Sequence, residues 1–305
     1  MRILVSGSHG LVGAALVARL RTAGHDVARL VRQRPSEDES SVCWDPQRGT
    51  IDGSALDRFD AVVHLAGENI AARRWTSTQK SRIRDSRVIG TRLLAESLAT
   101  QDQPPRVLIC ASAIGYYGDR SDEELDEQSS SGDGFLAEVC REWEAACEPA
   151  VTAGIRVVPI RWGMILSASG GALQKMLLPF RLCLGGIVGS GRQYWSWITL
   201  GDVLGIIEHV MTNEQFAGPV NGTSPNPVTN REFTKSLGRA LHRPTLFPMP
   251  AFAARLILGG MADELLLGSA RVLPKRLLET GYKFRHPDLN AALTDILNGR
   301  DGTQP

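Results

Sequence analysis

The 305-residue sequence has no surplus of charge: 34 Lys and Arg stand against 33 Asp and Glu, a net of +1. A global field that would draw the chain to nucleic acid or to an anionic membrane is therefore missing. Long apolar runs are missing too. The most apolar late stretch, 251–261, is interrupted by Arg255 and falls short of the roughly 20 residues that a membrane helix needs. The early apolar run at Ile3 does not form a charged n-region followed by a long apolar stretch and a small-residue cleavage site, so no secretory signal is expected. Cysteines are few and scattered, at Cys43, Cys110, Cys140, Cys147 and Cys183, with no Cys-x-x-Cys pair to suggest zinc or a redox dithiol. His9 and His64 have no second histidine at ligand spacing, so no metal is expected. A reduced, cytoplasmic setting follows.

What is present is the balance of a globular chain, 43% hydrophobic and 22% charged. Over the first 165 residues, short apolar runs alternate with longer amphipathic stretches. The runs are Ile3–Val5, Val27–Val31, Ala61–Leu65, Val107–Cys110 and Ile155–Ile160, each the length of a buried strand. Between them, Leu11–Ala23, Gln79–Ala99 and Phe135–Ala153 carry apolar residues at helical spacing. That rhythm predicts an α/β fold, a doubly wound parallel sheet over residues 1–165. From about Ser167 glycine becomes dense, and Tyr194, Trp195 and Trp197 follow, which reads as irregular substrate-side structure. Helices are expected again at Asp202–Met211 and Arg231–Leu241, then a small proline-cut helical lobe. The expected division is 1–165, 166–298 and a frayed tail over 299–305.

The sharpest local signal is Gly7-Ser8-His9-Gly10-Leu11-Val12-Gly13, directly after the first strand and opening the first helix. Gly7 permits the tight turn, Gly10 lets backbone approach a pyrophosphate, and Gly13 lets helix pack close to strand. The helix N-terminus then offers free N–H groups to the phosphates. The second strand ends in Arg32-Gln33-Arg34, and no carboxylate appears until Glu37. A guanidinium there matches a 2′-phosphate in charge and shape, so NADP is favoured over NAD.

At Leu65-Ala66-Gly67-Glu68, within Ala61–Ile70, the chain resembles the extended short-chain dehydrogenase/reductase superfamily, and within it the atypical YfcH-like "epimerase family" branch. Trp44-Asp45-Pro46, Ser86-Arg87, Ser112–Gly118, Trp143-Glu144, Gly185–Gln193 and Pro227–Asn230 carry the same resemblance, as do Leu265–Leu267 and Pro274 in a C-terminal domain of unknown function, about 249–297. It covers roughly residues 1 to 297. The resemblance implies a Rossmann-type domain whose Gly7, Gly10, Gly13 and Arg32 hold NADP, with Leu65, Ala66 and Gly67 lining the dinucleotide.

The same resemblance exposes a departure. Redox members of the superfamily use a Tyr with a Lys four residues later, plus a Ser or Thr, the lysine lowering the tyrosine pKa. Here Leu136 and Cys140 stand at the Tyr and Lys positions, and Ala113 at that of the serine, one residue from Ser112. The remaining candidates are Ser112, Tyr117 or its neighbour Tyr116, Cys140, and Glu68 as an acid or base beside the cofactor. Arg192, Gln193 and Trp197 are the candidate substrate contacts, on a glycine-hinged segment. The acidic run Asp119–Glu127 reads as a solvated loop over the site. Two functions remain open: an NADP(H)-dependent oxidoreductase or nucleoside-diphosphate-sugar-epimerase-like enzyme on a small polar substrate, and a non-catalytic NADP(H)-binding regulator or scaffold, as in cell division. The expected partner is a small molecule, with a homodimer as the candidate assembly and neither nucleic acid nor membrane.

Overall fold

Even and odd residues of the apolar runs divide between two hydrophobic cores, which is what a strand buried on both faces requires. Ile3, Val5, Val107 and Ile109 join one core, while Leu4, Leu108 and Cys110 join the other. The computed structural model describes residues 1–33 and 41–300. Its central sheet comprises β1 (Arg2–Ser6), β2 (Asp26–Val31), β3 (Val42–Asp45), β4 (Thr50–Ile51), β5 (Ala61–His64), β6 (Val107–Ala113), β7 (Arg156–Trp162) and β8 (Val220–Gly222). The spatial order is β8-β7-β6-β5-β1-β2-β3-β4, parallel except for β4. Arg34 and Glu37 of the sequence reading, and residues 301–305 of the expected tail, lie outside the described residues.

Helices α1 (Leu11–Thr22), α2 (Ser77–Ala99), α3 (Phe135–Ala145) and α4 (Glu148–Thr152) are followed by α5 (Gly171–Arg181), α6 (Leu200–Thr212) and α7 (Asn230–Ala240). The last three are α8 (Ala251–Leu258), α9 (Lys275–Glu279) and α10 (Leu289–Leu297). Both α1 and α6 cover one face of the sheet, where Arg19 grips Glu208 bidentately at 2.8 and 2.6 Å. The other face is covered by α2 and α4. No described helix is long and apolar enough to cross a membrane.

The chain departs from its sequence reading in four places. After residue 166 it returns to the sheet, since α6 packs in the first core and β8 extends the sheet beside β7. A boundary at 165/166 therefore cuts through one layer. Within the glycine-dense stretch lies α5, whose Leu173, Leu177 and Phe180 face a third core with α7 and α10. The acidic run is no free loop: Glu124–Leu125 pairs in parallel with Arg271–Val272, and Lys275 reaches Asp126 at 3.1 Å. Gly299 and Arg300, expected to fray, still donate to the end of α10.

The chain runs from β1 to one side for β2 and β3, then returns to the other side for β5. This reversal opens a crevice outside the carboxyl ends of β1 and β5, the place where open α/β sheets bind ligands.

Candidate functional site

Three of the sequence-selected glycines sit together at the crevice, for different reasons. Gly7 has φ +67°, and a Cβ there would lie 2.7 Å from the carbonyl carbon of Leu65. A Cβ on Gly13 would lie 2.2 Å from the Gly7 oxygen. Both are demanded by the protein's own packing. Gly10 is not: its φ of −75° and ψ of 169° suit any residue, and a Cβ would meet only the Gly7 oxygen at 3.3 Å. Gly10 is exposed.

Behind Gly10 stands the N-terminus of α1. The N–H groups of Leu11, Val12 and Gly13 donate to no acceptor among the described residues, no side chain caps them, and no acid lies in the first turn. These are the orphan donors of a helix start, carrying its partial positive charge. Ser8 adds a buried hydroxyl with no hydrogen-bond partner among the described residues, and His9 is exposed beside it. Such a cradle fits a diphosphate. Arg32, exposed at the end of β2, makes no ion pair or hydrogen bond among the described residues.

The second wall is the loop after β5. Ser6 Oγ accepts from Leu65 N at 3.0 Å and Ala66 N at 3.2 Å. Its own proton then goes to His64 Nδ1 at 2.7 Å, which fixes the neutral imidazole with its hydrogen on Nε2. That Nε2 has no polar partner and lies in the core beside Trp44. Burial holds the His64 pKa down at about 4. Farther along, Glu68 N donates to Ser86 Oγ, and its carboxylate accepts from Gln79 at 3.4 Å. Asn69 caps the next turn by accepting from Ala71 N.

The expected catalytic positions also come together. Cys140 Sγ points at the Ala113 carbonyl at 3.6 Å, and a Cβ on Gly115 would touch Leu136 at 3.1 Å and Cys140 at 3.9 Å. The three positions aligned with the superfamily Ser, Tyr and Lys thus form one cluster of Ala113, Leu136 and Cys140. Burial, with Glu144 nearby, pushes the Cys140 thiol up to about 12, far from a nucleophilic thiolate.

Tyr117 lies beneath the crevice. It is fully buried, and its hydroxyl accepts from Arg161 at 2.9 Å and donates to Asn221 Oδ1 at 2.8 Å. Burial pushes its pKa up to about 12. It anchors the floor of the site and does not face the crevice. Ser112 is likewise buried, and its hydroxyl proton is held by Glu144 at 2.7 Å. Both hydroxyls are engaged by side chains of the fold. Trp197 and Gln193 are buried as well. Trp197 is wholly buried and donates to the Asn226 carbonyl, and Gln193 donates to the Val188 and Leu266 carbonyls. Of that trio only Arg192 keeps an exposed side chain.

Sequence reasoning gave no role to the charged groups that organise this floor. Arg161, on β7, meets Glu144 of α3 through two 2.8 Å hydrogen bonds, and its guanidinium lies 3.5 Å from the centroid of the Tyr116 ring. A lone arginine inside the apolar run Val157–Trp162 was the available signal, since a buried charge requires a partner. Arg87 of α2 donates through Nη1 to the Glu68 and Ile83 carbonyls, each at 3.0 Å. Its guanidinium carbon would lie 3.4 Å from a Cβ on Gly67.

The C-terminal segment closes the far side. Glu264 accepts from Phe135 N at 3.2 Å and Leu136 N at 2.7 Å, capping α3 from across the site. Arg74 donates to the Leu256 carbonyl, and Lys175 to that of Ala71.

A parallel sheet with a glycine-lined crevice at its reversal point defines a dinucleotide-binding protein of the doubly wound class. Residues 3–221 match the model of the NAD dependent epimerase/dehydratase family, and residues 249–296 match a domain of unknown function, DUF1731. The chain belongs to that NAD(P)-binding epimerase family. It is 45% identical over 291 residues to the epimerase family protein Mb2239 of Mycobacterium bovis, covering 95% of this chain and 96% of that one. The crystal structure of human epimerase family protein SDR39U1 (isoform 2) with NADPH superposes with a TM-score of 0.90 at 37% identity, covering 98% of this chain and 99% of that one. Thermus thermophilus UDP-glucose 4-epimerase in complex with NAD shares the fold, with a TM-score of 0.72 at 17% identity over 98% of this chain and 99% of that one.

Proposed function

We propose that this protein binds NADP(H) in the crevice and holds it without the Tyr–Lys proton relay of its superfamily. The observation that carries the reading is the unpaired amide cradle of Leu11, Val12 and Gly13 in front of a glycine, Gly10, that the fold itself does not need. NADPH in the human relative's structure supports the same choice of cofactor. Gly7, Ser8, His9 and Gly10 with the first turn of α1 take the diphosphate, and Leu65, Ala66 and Gly67 line the dinucleotide. Arg32 meets the 2′-phosphate as a bidentate cation. Arg87 presents its remaining guanidinium donors beside Gly67 and Glu68, a cation supplied from α2 where α3 has Cys140. When bound, NADP(H) supplies hydride exchange at its nicotinamide ring.

Ala113, Leu136 and Cys140 supply no acid or base at neutral pH, which supports the non-catalytic regulator over a Tyr–Lys epimerase. The oxidoreductase reading rests on a specific feature: Tyr116 lies on Arg161, and its hydroxyl makes no hydrogen bond among the described residues. Arg192 would be its exposed substrate contact. A panel of carbonyl and alcohol compounds separates the readings. NADPH oxidation that is lost in Tyr116→Phe identifies the enzyme, and no turnover across the panel identifies the regulator.

Cofactor binding is tested directly by thermal unfolding. NADPH at about one hundred times its dissociation constant should add roughly 2.7 kcal/mol of stability, with NADH adding less. In Arg32→Ala the preference for NADPH should disappear. Gly10→Ala should unfold within about 1 kcal/mol of the wild type, because the backbone angles suit alanine and the new methyl meets only the Gly7 carbonyl oxygen, at 3.3 Å, yet bind NADPH at least about tenfold more weakly. An unchanged affinity in Gly10→Ala would remove the diphosphate from this loop.

A further inference from the structure

The net charge of +1 conceals a segregation. Residues 171–201 and 233–262 contain seven Lys and Arg and not one Asp or Glu, leaving the rest of the chain at −6. The two segments are neighbours in space. Met249 N donates to the Ile187 carbonyl at 2.8 Å, Gly189 N to that of Met249 at 2.9 Å, and Arg243 Nε to that of Arg181 at 3.2 Å. Among the seven cations only Arg255 has an acidic partner, Asp263, among the described residues.

The same surface is apolar to an unusual degree. Nine of the thirteen exposed large hydrophobics of the described residues lie on it, Phe252, Leu256 and Leu246 being 72%, 74% and 70% exposed. At about 200 Å² for a large apolar side chain, their accessible surface comes to roughly 1,000 Å². The largest apolar patch of a typical monomer is about 300–600 Å². Helix α8, Ala-Phe-Ala-Ala-Arg-Leu-Ile-Leu, buries only Ala254, although a surface helix normally buries an apolar stripe.

We propose that this face, built from the end of α5, the 246–250 loop and α8, docks onto an anionic lipid bilayer. Phe247, Phe252 and Ile257 enter the interfacial layer, while Arg181, Arg239 and Arg243 meet the headgroups. Apolar side chains beside unopposed cations are the pattern of an interfacial membrane surface. A second copy of the chain suits the face less well, because a twofold contact sets the same patch, and so the same cations, against itself. The sequence-level expectation of no membrane partner followed from the net charge, which averages this face away.

Flotation of the full-length protein with vesicles tests the proposal. At 50 mM NaCl it should float with phosphatidylcholine vesicles containing 30% phosphatidylglycerol, and at least tenfold less with phosphatidylcholine alone or at 500 mM NaCl. Phe252→Glu with Ile257→Glu should reduce flotation at least tenfold while the thermal shift given by NADPH stays unchanged. Lys235→Glu with Arg239→Glu should weaken binding to the anionic vesicles. Absence of flotation with the anionic vesicles, or flotation indifferent to Phe252→Glu with Ile257→Glu, overturns the proposal. So does a dimer in sedimentation velocity that this double variant dissociates, which assigns the face to a second copy.

Discussion

Replacing Arg161 by methionine is expected to lower the free energy of unfolding by about 3–5 kcal/mol. Arg161 is 3% exposed and makes five polar or ring contacts: two hydrogen bonds to Glu144, one to the Tyr117 hydroxyl, and ring contacts with Tyr116 and Tyr117. Removing the cation leaves the Glu144 carboxylate in a poorly hydrated floor with only Ser112 to satisfy it. The cost therefore lies in the stranded partner and exceeds what the pair itself contributes. Arg161→Met combined with Glu144→Leu should recover most of the loss, because two apolar groups replace two matched charges. Urea unfolding of the four proteins in the cycle measures this. A single variant within about 1 kcal/mol of wild type would mean that water already reaches Glu144.

Acid should act through His64. Its native pKa is held at about 4 by burial, whereas an unfolded histidine titrates near 6.5. Between those values the unfolded chain binds a proton that the folded chain refuses, so this residue lowers stability as pH falls from about 6.5 to about 4. The slope is about 1.4 kcal/mol per pH unit and the total about 3 kcal/mol. Below about 4 both states are protonated, and the contribution levels off. Protonation would place a hydrogen on Nδ1, the atom that accepts from Ser6, and so disturb the hydroxyl that holds Leu65 N and Ala66 N. Affinity of the folded protein for NADPH should hold down to about pH 5 and fall only as pH approaches 4, where native His64 itself takes up the proton. His64→Gln should remove this segment of the pH profile, and a wild-type profile flat between pH 6.5 and 5 would refute the assignment.

The parallel sheet and the phosphate loop were legible because their signals are local. Gly13 is dictated by its contact with Gly7 and Ser8, Gly7 by the turn that its φ of +67° makes, and β1, β5 and β6 are built on continuous apolar runs. What the sequence concealed depends on residues far apart. The short strand Val220–Gly222 gains its place from β7, some sixty positions earlier. Tyr117 and Trp197 looked like site aromatics because aromatic rings near glycines suit both a ligand wall and a core, and only packing distinguishes the two. The Arg161–Glu144 pair and the bond between Arg87 and the Glu68 carbonyl join elements that no periodicity connects.

Glu264 has a consequence for how the molecule is made. Helix α3 is preceded by Gly134, with φ +103°, has no side-chain cap of its own, and its first amides wait for a carboxylate 128 positions downstream of Leu136. On a ribosome, α3 leaves the exit tunnel long before that carboxylate exists. The sheet can assemble first, but the crevice acquires its final shape only when the last fifth of the chain arrives. A nascent chain halted before residue 264 would thus hold the strands and the phosphate loop around a frayed α3. Completion of the site becomes the late step of folding, timed by translation itself.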